Sequence, residues 1–199
     1  ATGVDVIIDF STASAFVASF PRMAGLGVDV VVGTTGWQEH EPRLREIARQ
    51  AGIGVVASPN FSVGVAIFQS VVAHAARLFA SHSDFGLYLH ESHHKAKRDA
   101  PSGTALAIKA AITAAGYEHP IDIASTRAGH TPGMHTVGFD GPAETLTLCH
   151  TARDRTAFAH WALAAAAWVH GRRGWFDLGD VLGLSGSDCR NDHPRKGTS

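Results

Sequence analysis

Strand-like and helical segments alternate in the N-terminal part of the chain, and this order restricts the architecture to a parallel sheet. Three short apolar segments predict buried strands, and the two segments between them predict helices. The strand segments are residues 4–11, 28–37 and 53–62, and the helical segments are residues 13–25 and 39–51. Ser11 or Thr12 can cap the first helix. Pro21 is expected to bend or interrupt it, and Gly52 can end the second helix. Consecutive strand–helix–strand units of this kind predict a parallel sheet.

Polar turns follow each of the three predicted strands. In open parallel sheets, ligands bind in the crevice at the carboxyl ends of the strands. Those ends carry Phe10-Ser11, Gly33-Thr34-Thr35 and Pro59-Asn60-Phe61. We therefore predict a ligand site at this edge of the sheet.

The pattern changes after a long helix that is predicted over residues 63–81. Four strand-like segments follow, at residues 84–93, 121–129, 134–141 and 144–152, with a predicted helix at 102–115 after the first. This order predicts a mixed or antiparallel sheet, and therefore a second domain of the α+β type. A further helix over 155–169 and a short apolar segment at 175–184 follow. Residues 185–199 have no apolar periodicity and are expected to be disordered.

Composition excludes several classes of protein. With a net charge of −1, the sequence shows no electrostatic signature of nucleic-acid binding. The most apolar segment, residues 157–169, is too short to cross a bilayer, and no segment of the printed sequence resembles a signal peptide. The two cysteines, Cys149 and Cys189, lie far apart, so a reducing cytoplasm is the simpler expectation.

The segment "LHESHHKAKRDAPSGTA", residues 89–105, contains the densest group of chemically active side chains. Residues 90–94 match the H-E-x-x-H pattern of zinc proteases, which requires a helix. The preceding residues alternate like a strand, in which positions 90 and 94 lie about 13 Å apart. That distance is too long for two ligands of one ion, so we predict no metal site here.

Two interpretations of the same segment remain. Histidines are numerous in this chain, and a solvated loop containing the pair His93-His94 is the simpler one. However, "PSGT" at residues 101–104 opens a helix that Asp99 or Ser102 can cap. A helix start binds anions through its free N–H groups, and Lys97 lies close to it in sequence. Imidazoles, an ammonium and an anion site together predict a small anionic substrate that must be protonated.

The same segment resembles the signature of the 4-hydroxy-tetrahydrodipicolinate reductase (dihydrodipicolinate reductase) family, E-x-H-H-x-x-K-x-D-A-P-S-G-T-A. Every fixed position matches. Other segments agree in the same order: "DFS", "VVGTTGW", "PNFSVGV", "TRAG", H-x-V-x-F around His135, "HTARDRTAFA" and "DVLGL". The resemblance covers about residues 4–184.

The resemblance implies a two-domain α/β enzyme of lysine and diaminopimelate synthesis that reduces a cyclic dicarboxylate with NADH or NADPH. It implies a truncated Rossmann-like parallel sheet domain at residues 1–62 and 156–184. Residues 63–155 then form the α+β domain with a mixed sheet, which binds substrate and assembles a homotetramer. His93 matches the proton donor of the family, and Lys97 the lysine that assists it.

The remaining implied site residues fall into two groups. Those matching substrate-binding residues are His94, Ser102, Gly103 and Thr104. Those matching cofactor-binding residues are Phe10, Ser11, Gly33, Thr34, Thr35, Ser58, Pro59, Asn60, Phe61 and Arg155.

The printed sequence departs from the family pattern in one respect. The family begins with a strand and a G-x-x-G-x-x-G phosphate loop, which these 199 residues do not contain. We therefore expect the chain as printed to bind NADH or NADPH weakly and without preference. Two hypotheses follow: a reductase whose first segment lies outside the printed sequence, or a short inactive relative that binds a dicarboxylate or serves as an assembly subunit.

Overall fold

Two four-stranded sheets organise the molecule. The computed structural model describes residues 3–154 and 156–184. The strands are β1 (Val6–Asp9), β2 (Asp29–Val32), β3 (Gly54–Ala57), β4 (Gly86–His93), β5 (Ile121–Arg127), β6 (Met134–Asp140), β7 (Thr145–Thr151) and β8 (Gly174–Phe176). The helices are α1 (Ala13–Gly25), α2 (Glu41–Ala51), α3 (Val63–Phe79), α4 (Gly103–Ala114), α5 (Thr156–Val169) and α6 (Leu178–Val181).

The first sheet is parallel throughout, with strand order β1-β2-β3-β8. Its two faces are both covered, because the side chains of β2 alternate between two apolar clusters. Val30 and Val32 pack with Phe16 and Leu44 beneath α1 and α2, whereas Val31 packs against α5. Burial on both faces is typical of parallel strands that read as continuous apolar runs. The predicted α/β class with a parallel sheet is confirmed.

The ends of α1 and α2 follow from local chemistry. The hydroxyl of Thr12 accepts a hydrogen bond from the Ala15 N–H and caps α1. Gly52 ends α2 with a φ of +67°, in the left-handed region that favours glycine. Of the two effects predicted for Pro21, the interruption is wrong, because α1 continues to Gly25, and the bend stays a prediction. Buried residues on both sides of the proline, among them Phe20, keep this helix packed on the sheet.

Two other expectations need correction. The short apolar segment at 175–184 has no predicted secondary structure, yet β8 pairs in parallel with β3 and α6 follows directly. Residues 39 and 40, predicted to begin the second helix, belong instead to a 3₁₀ turn at Gln38–His40 before α2. Three-residue strands and single 3₁₀ turns are too short to show a periodicity of their own.

The second sheet is mixed, with strand order β5-β4-β6-β7. Strand β4 is parallel to β5 and antiparallel to β6, and β6 is antiparallel to β7. Helices α3 and α4 cover one face, where Leu87 and Leu89 of β4 enter the core. The alternate residues Tyr88 and His90 lie on the other, more exposed face. The predicted mixed sheet is confirmed.

Within residues 3–154 and 156–184, no helix combines the length and the apolar character needed to cross a membrane. The predicted disordered tail at 185–199 and Arg155 lie outside the described residues.

Candidate active site

Strand β4 carries two polar side chains into the covered side of the second sheet. Its burial alternates, so Glu91 and His93 continue the inward series that Leu87 and Leu89 begin. Glu91 is 0% exposed and His93 is 6% exposed. Burying a carboxylate and an imidazole costs free energy unless each is paired, so their partners identify what this position does.

One oxygen of Glu91 receives hydrogen bonds from three directions. Oε1 accepts from the Ser102 N–H at 3.0 Å, from the Ser125 hydroxyl at 2.6 Å and from Nη2 of Arg127 at 2.6 Å. Burial alone would raise the pKa of Glu91. The hydrogen bonds from Ser102, Ser125 and Arg127 outweigh it and lower the pKa to about 2. Glu91 is therefore a fixed negative charge that joins β4, β5 and the start of α4.

The other oxygen of Glu91 faces two histidines. Oε2 lies 3.1 Å from Nδ1 of His93 and 3.7 Å from Nε2 of His135. The two rings meet edge to face with centroids 5.2 Å apart. Burial is the main cause that lowers the pKa of His135, to about 4, with the neighbouring His93 adding to it. Burial also lowers the pKa of His93, while the charge of Glu91 opposes that shift.

The ligand atoms of Glu91, His93 and His135 lie within 4.8 Å of one another, which is close enough to coordinate one metal ion. Arg127 argues against this use, because its guanidinium already binds Glu91 and would repel a cation. The H-E-x-x-H pair does not converge either. His90 lies on the opposite face of β4 and its Nε2 is 2.9 Å from the Thr126 hydroxyl. The cluster is better suited to handling a proton than to holding a metal.

Beside this cluster, Lys97 and the start of α4 surround a carboxylate. Nζ of Lys97 lies 2.7 and 2.9 Å from the two oxygens of Asp99. The hydrogen bond from Lys97 is the main cause that lowers the pKa of Asp99, and the Gly103 N–H contributes to it. An ammonium and a helix N–H thus already act on one anionic group here.

The start of α4 is open for a ligand on one side. Ser102, not Asp99, caps the helix, since its hydroxyl accepts from the Ala105 N–H at 3.2 Å. The Ser102 hydroxyl also lies 3.2 Å from Nε2 of His135. Gly103 is exposed, and a Cβ placed on it would meet no other atom within 4 Å. Thr104 is half-buried next to it.

The turns after β1 and β2 form an aromatic surface at the edge of the parallel sheet. The ring of Phe10 lies directly on Gly33, where a Cβ would come within 2.1 Å of the ring. Phe10 is 51% exposed and its ring centroid is 5.7 Å from that of the buried Phe61. A half-exposed aromatic ring at the carboxyl ends of parallel strands is suited to a flat ring such as nicotinamide.

Asp9 and Trp37 hold these turns in place. Oδ1 of Asp9 accepts from the Ser11 N–H at 3.0 Å, from the Ser11 hydroxyl at 2.8 Å and from the Thr34 hydroxyl at 3.0 Å. The indole N–H of Trp37 donates to the Thr34 carbonyl at 2.6 Å. Thr35 remains exposed beyond them. The two turns are thereby fixed while their outer residues stay accessible.

The turn after β3 contacts α4, a helix that covers the second sheet. The Ser58 hydroxyl donates to the Asn60 carbonyl at 2.7 Å, and Oδ1 of Asn60 accepts from the Ser62 N–H at 2.8 Å. These bonds aim the side-chain amide, whose Nδ2 lies 3.5 Å from the Thr104 hydroxyl. Ser58, Pro59, Asn60 and Thr104 also line one end of a cleft of about 1210 Å³ that runs between α3 and α4.

The predicted site residues therefore fall into two groups, which contact each other between Asn60 and Thr104. The strand-end group comprises Phe10, Ser11, Gly33, Thr34, Thr35, Ser58, Pro59, Asn60 and Phe61. The group around α4 comprises His93, Lys97, Ser102, Gly103 and Thr104. His94 is half-buried, and its backbone N–H donates to the Thr131 carbonyl at 2.8 Å. Arg155 lies outside the described residues.

Sequence reasoning assigned no role to Glu91, Arg127 or His135. All three stand in segments that carry the family resemblance, and Glu91 is the first letter of the signature. The available signal was the alternation of β4, which places Glu91 on the same face as Leu89. A carboxylate at a core position of a strand implies a buried partner of opposite charge.

Comparisons with known proteins agree with this geometry. Residues 1–61 match the family model described as "Dihydrodipicolinate reductase, N-terminus", and residues 64–182 match "Dihydrodipicolinate reductase, C-terminus". The 4-hydroxy-tetrahydrodipicolinate reductase of Methanosarcina mazei is 39% identical over 199 aligned residues, covering 92% of this chain and 74% of the relative. That of Bradyrhizobium diazoefficiens is 38% identical, with coverage of 91% and 73%.

A solved structure shares the fold. The dipicolinate-bound dihydrodipicolinate reductase of Paenisporosarcina sp. TG-14 superposes with a TM-score of 0.73 at 23% identity. The superposition covers 87% of this chain and 71% of the other.

Proposed function

Since this chain belongs to the dihydrodipicolinate reductase family, we propose that it reduces 4-hydroxy-tetrahydrodipicolinate to tetrahydrodipicolinate through the residues gathered around β4 and α4. The reaction belongs to lysine and diaminopimelate biosynthesis. Overall it consumes one hydride and one proton and releases one water. NADH or NADPH, when bound, supplies the hydride.

The observation that carries this proposal is the contact of Asn60 with Thr104. Nδ2 of Asn60 lies 3.5 Å from the Thr104 hydroxyl, so the edge of the parallel sheet adjoins the start of α4. Hydride transfer needs the reacting atoms within about 3–3.5 Å of each other. A cofactor ring on Phe10, Gly33 and Phe61 and a substrate at α4 would be neighbours in this arrangement.

The substrate carboxylates would bind where Asp99 now lies. Lys97, the Gly103 N–H and the Thr104 hydroxyl offer an ammonium and two donors at a helix start. His94 follows the proposed proton donor in sequence and would face the same ligand. The dipicolinate bound to the Paenisporosarcina enzyme is a dicarboxylate, which supports this class of ligand.

His93 would donate the proton to the electron pair that hydride addition leaves on the substrate. A positioned general acid contributes typically about 10²–10⁴-fold to the rate. Lys97 would stabilise the negative charge that develops near it, since its ammonium is close enough to act on the pKa of His93. His93 keeps only a small exposed area, so the bound substrate would shield the proton transfer from water.

An assay of NADPH and NADH oxidation with 4-hydroxy-tetrahydrodipicolinate, using the full-length protein, tests this proposal. We expect substrate-dependent oxidation, and we expect Lys97→Ala to lower kcat at least tenfold while Lys109→Ala, an exposed lysine on α4, leaves it unchanged. The absence of substrate-dependent oxidation in the wild type would contradict the proposed function. Equal kcat in both lysine variants would remove the role of Lys97.

The same proposal includes assembly as a homotetramer through the outer face of the second sheet. Tyr88 on β4 is 38% exposed on that face, which it shares with its register partners Gly138 on β6 and Thr147 on β7. A partly exposed aromatic ring on the face of a sheet favours packing against another protein surface. Sedimentation at micromolar concentration should give a tetramer that Thr147→Lys, on the exposed outer face of β7, weakens. A wild-type monomer would contradict this assembly.

A further inference from the structure

Two buried polar atoms face each other in the second sheet. Oε2 of Glu91 and Nδ1 of His93 are 3.1 Å apart, and within the described residues neither has a well-aligned hydrogen bond. Such atoms are costly to bury unless a proton lies between them or a small rotation aligns them. Catalytic hydrogen bonds are often long or poorly aligned before a substrate binds. The pair therefore needs a functional explanation that the general-acid role of His93 alone does not supply.

Glu91 is held in a way that fixes the direction of Oε2. Its other oxygen takes donors from α4 (Ser102 N–H), from the hydroxyl of Ser125 and from the guanidinium of Arg127. These three bonds prevent the carboxylate from turning. They also keep it ionised, with a pKa of about 2. Oε2 is consequently a fixed acceptor aimed at Nδ1 of His93.

The other groups around His93 would leave it without a proton. Arg127 on β5 and Lys97 in the loop after β4 are cations whose charge lowers the pKa of His93. Asp99 opposes them, but it is engaged by Lys97. His135 on β6 packs against the ring and is neutral at neutral pH, given its pKa of about 4. Glu91 is the negative group nearest to the imidazole.

The opposite edge of the ring has a defined neighbour as well. A Cβ placed on Gly133 would lie 3.1 Å from Nε2 of His93, so the glycine leaves room for that nitrogen. With Nδ1 against a carboxylate and Nε2 against a residue without a side chain, the two nitrogens have different roles available. Which nitrogen carries the proton is set by the bond that the other one makes.

We propose that Glu91 is a positioning residue for His93: its Oε2 holds the Nδ1 proton, so that Nε2 is the nitrogen that donates to the substrate, and its charge keeps the imidazolium available. The inference rests on the proposed function, and it assigns a role to a residue that touches neither substrate nor cofactor. In the step itself, the Nε2–H bond breaks as the substrate gains the proton. The ring becomes neutral with Nδ1–H retained against Glu91.

A first experiment needs no variant of Glu91 and no activity. The 199-residue chain is labelled with ¹⁵N-histidine, and its ring nitrogens are recorded through a pH titration, with His93→Gln used to assign the signals. We expect neutral His93 to be the Nδ1–H tautomer. Neutral His93 with its proton on Nε2 would overturn the proposal, because Glu91 would then face an unprotonated nitrogen.

A second experiment removes the negative charge of Glu91. In Glu91→Gln we expect the pKa of His93 to fall by about 1–3 pH units, because an opposite charge at this distance favours the charged form. In the assay, kcat of the full-length protein should then decline at lower pH than in the wild type, because kcat declines as His93 loses its proton. Ser125→Ala is the matched control: it deletes one hydrogen bond to Glu91, leaves the charge, and should leave the pKa of His93 in place.

The outcomes separate this inference from the proposed function. Glu91→Asp keeps the negative charge, so its His93 pKa should be closer to the wild-type value than that of Glu91→Gln. A purely structural role of Glu91 would give the two variants the same pH profile. An unchanged pH profile in a folded Glu91→Gln, together with a large loss in His93→Gln, would overturn the role of Glu91 and leave the proton donor intact. If His93→Gln retains wild-type kcat, the proposed proton donor itself is wrong.

Discussion

The ammonium of Lys97 lies 2.7 Å from a carboxylate oxygen of Asp99, two residues further along the chain. The Gly103 N–H acts on the same carboxylate, so Asp99 occupies the place at the start of α4 that we propose for the substrate. The Asp99 carboxylate thus fills the proposed anion-binding site at the start of α4. A dicarboxylate that binds there has to compete with Asp99 for Lys97.

Asp99→Asn should therefore strengthen dicarboxylate binding. The substitution removes a carboxylate charge that both competes for Lys97 and repels an anionic ligand. We therefore expect a several-fold lower Kd for dipicolinate in calorimetry at low ionic strength. Asp122→Asn, which removes an exposed carboxylate on β5, is the control and should leave Kd unchanged. Weaker binding in Asp99→Asn would show that Asp99 supports the site instead of competing for it.

Thr104→Val should weaken dicarboxylate binding more than it lowers kcat. The variant loses the hydroxyl that contacts Asn60, while the main-chain donors of α4 remain. A hydrogen bond to a charged group is worth about 1.5–3 kcal/mol, which corresponds to roughly 10–150-fold in Kd. Thr113→Val, on the exposed side of the same helix, is the matched control. Unchanged Kd for dipicolinate in Thr104→Val would place the carboxylate elsewhere.

The N-terminal strands and helices could be predicted because each carries its own local signal. The continuous apolar run of β2 indicates burial on two faces, and Thr12 and Gly52 mark helix ends through their capping chemistry. Strand β8 could not be predicted in this way. Its three residues form a strand only because β3 offers a free edge after α5 has crossed the sheet, which is a tertiary property.

The candidate site also contains residues that local sequence signals identify and residues that only tertiary contacts bring together. His93, Lys97 and the start of α4 lie within a dozen residues, so their spacing and the family signature identify them. The partners of Glu91 come from three separate segments, and Arg127 reaches it across the β4–β5 pairing. The register of the strands and the position of α4 bring these groups together, and a single sequence displays neither.

Gly33→Ala should weaken NADPH and NADH binding. The new Cβ would lie 2.1 Å from the ring of Phe10, so the ring has to leave its place on the sheet edge. We expect at least a tenfold higher Kd in a fluorescence titration of the full-length protein. Gly25→Ala, at the end of α1 where a Cβ meets nothing within 4 Å, is the control. Wild-type affinity in Gly33→Ala would remove Phe10 from the proposed cofactor site.

Stability should fall as the pH is lowered from about 6.5 towards about 4, because of His135. Its folded pKa of about 4 lies below the ordinary value of 6.5, so the unfolded chain binds the proton first and stability is complete only above 6.5. This histidine alone should contribute a loss of about 2 kcal/mol between about pH 7.5 and about pH 5.

Urea unfolding at these two pH values measures the loss. His135→Gln should reduce the difference, whereas the exposed His82→Gln should not. Glu91 does not contribute in this window, because its carboxylate takes up protons below about pH 4.5. An equal loss in wild type and His135→Gln would show that His135 is not buried as a neutral ring.

The kcat of His93→Gln measures the central claim most directly. In the full-length protein, with 4-hydroxy-tetrahydrodipicolinate and either nicotinamide cofactor, we expect kcat to fall by about 10²–10⁴-fold while KM changes little. His82→Gln should retain wild-type kcat. A kcat in His93→Gln within a few-fold of the wild type would contradict the account, because the proton would then come from another group.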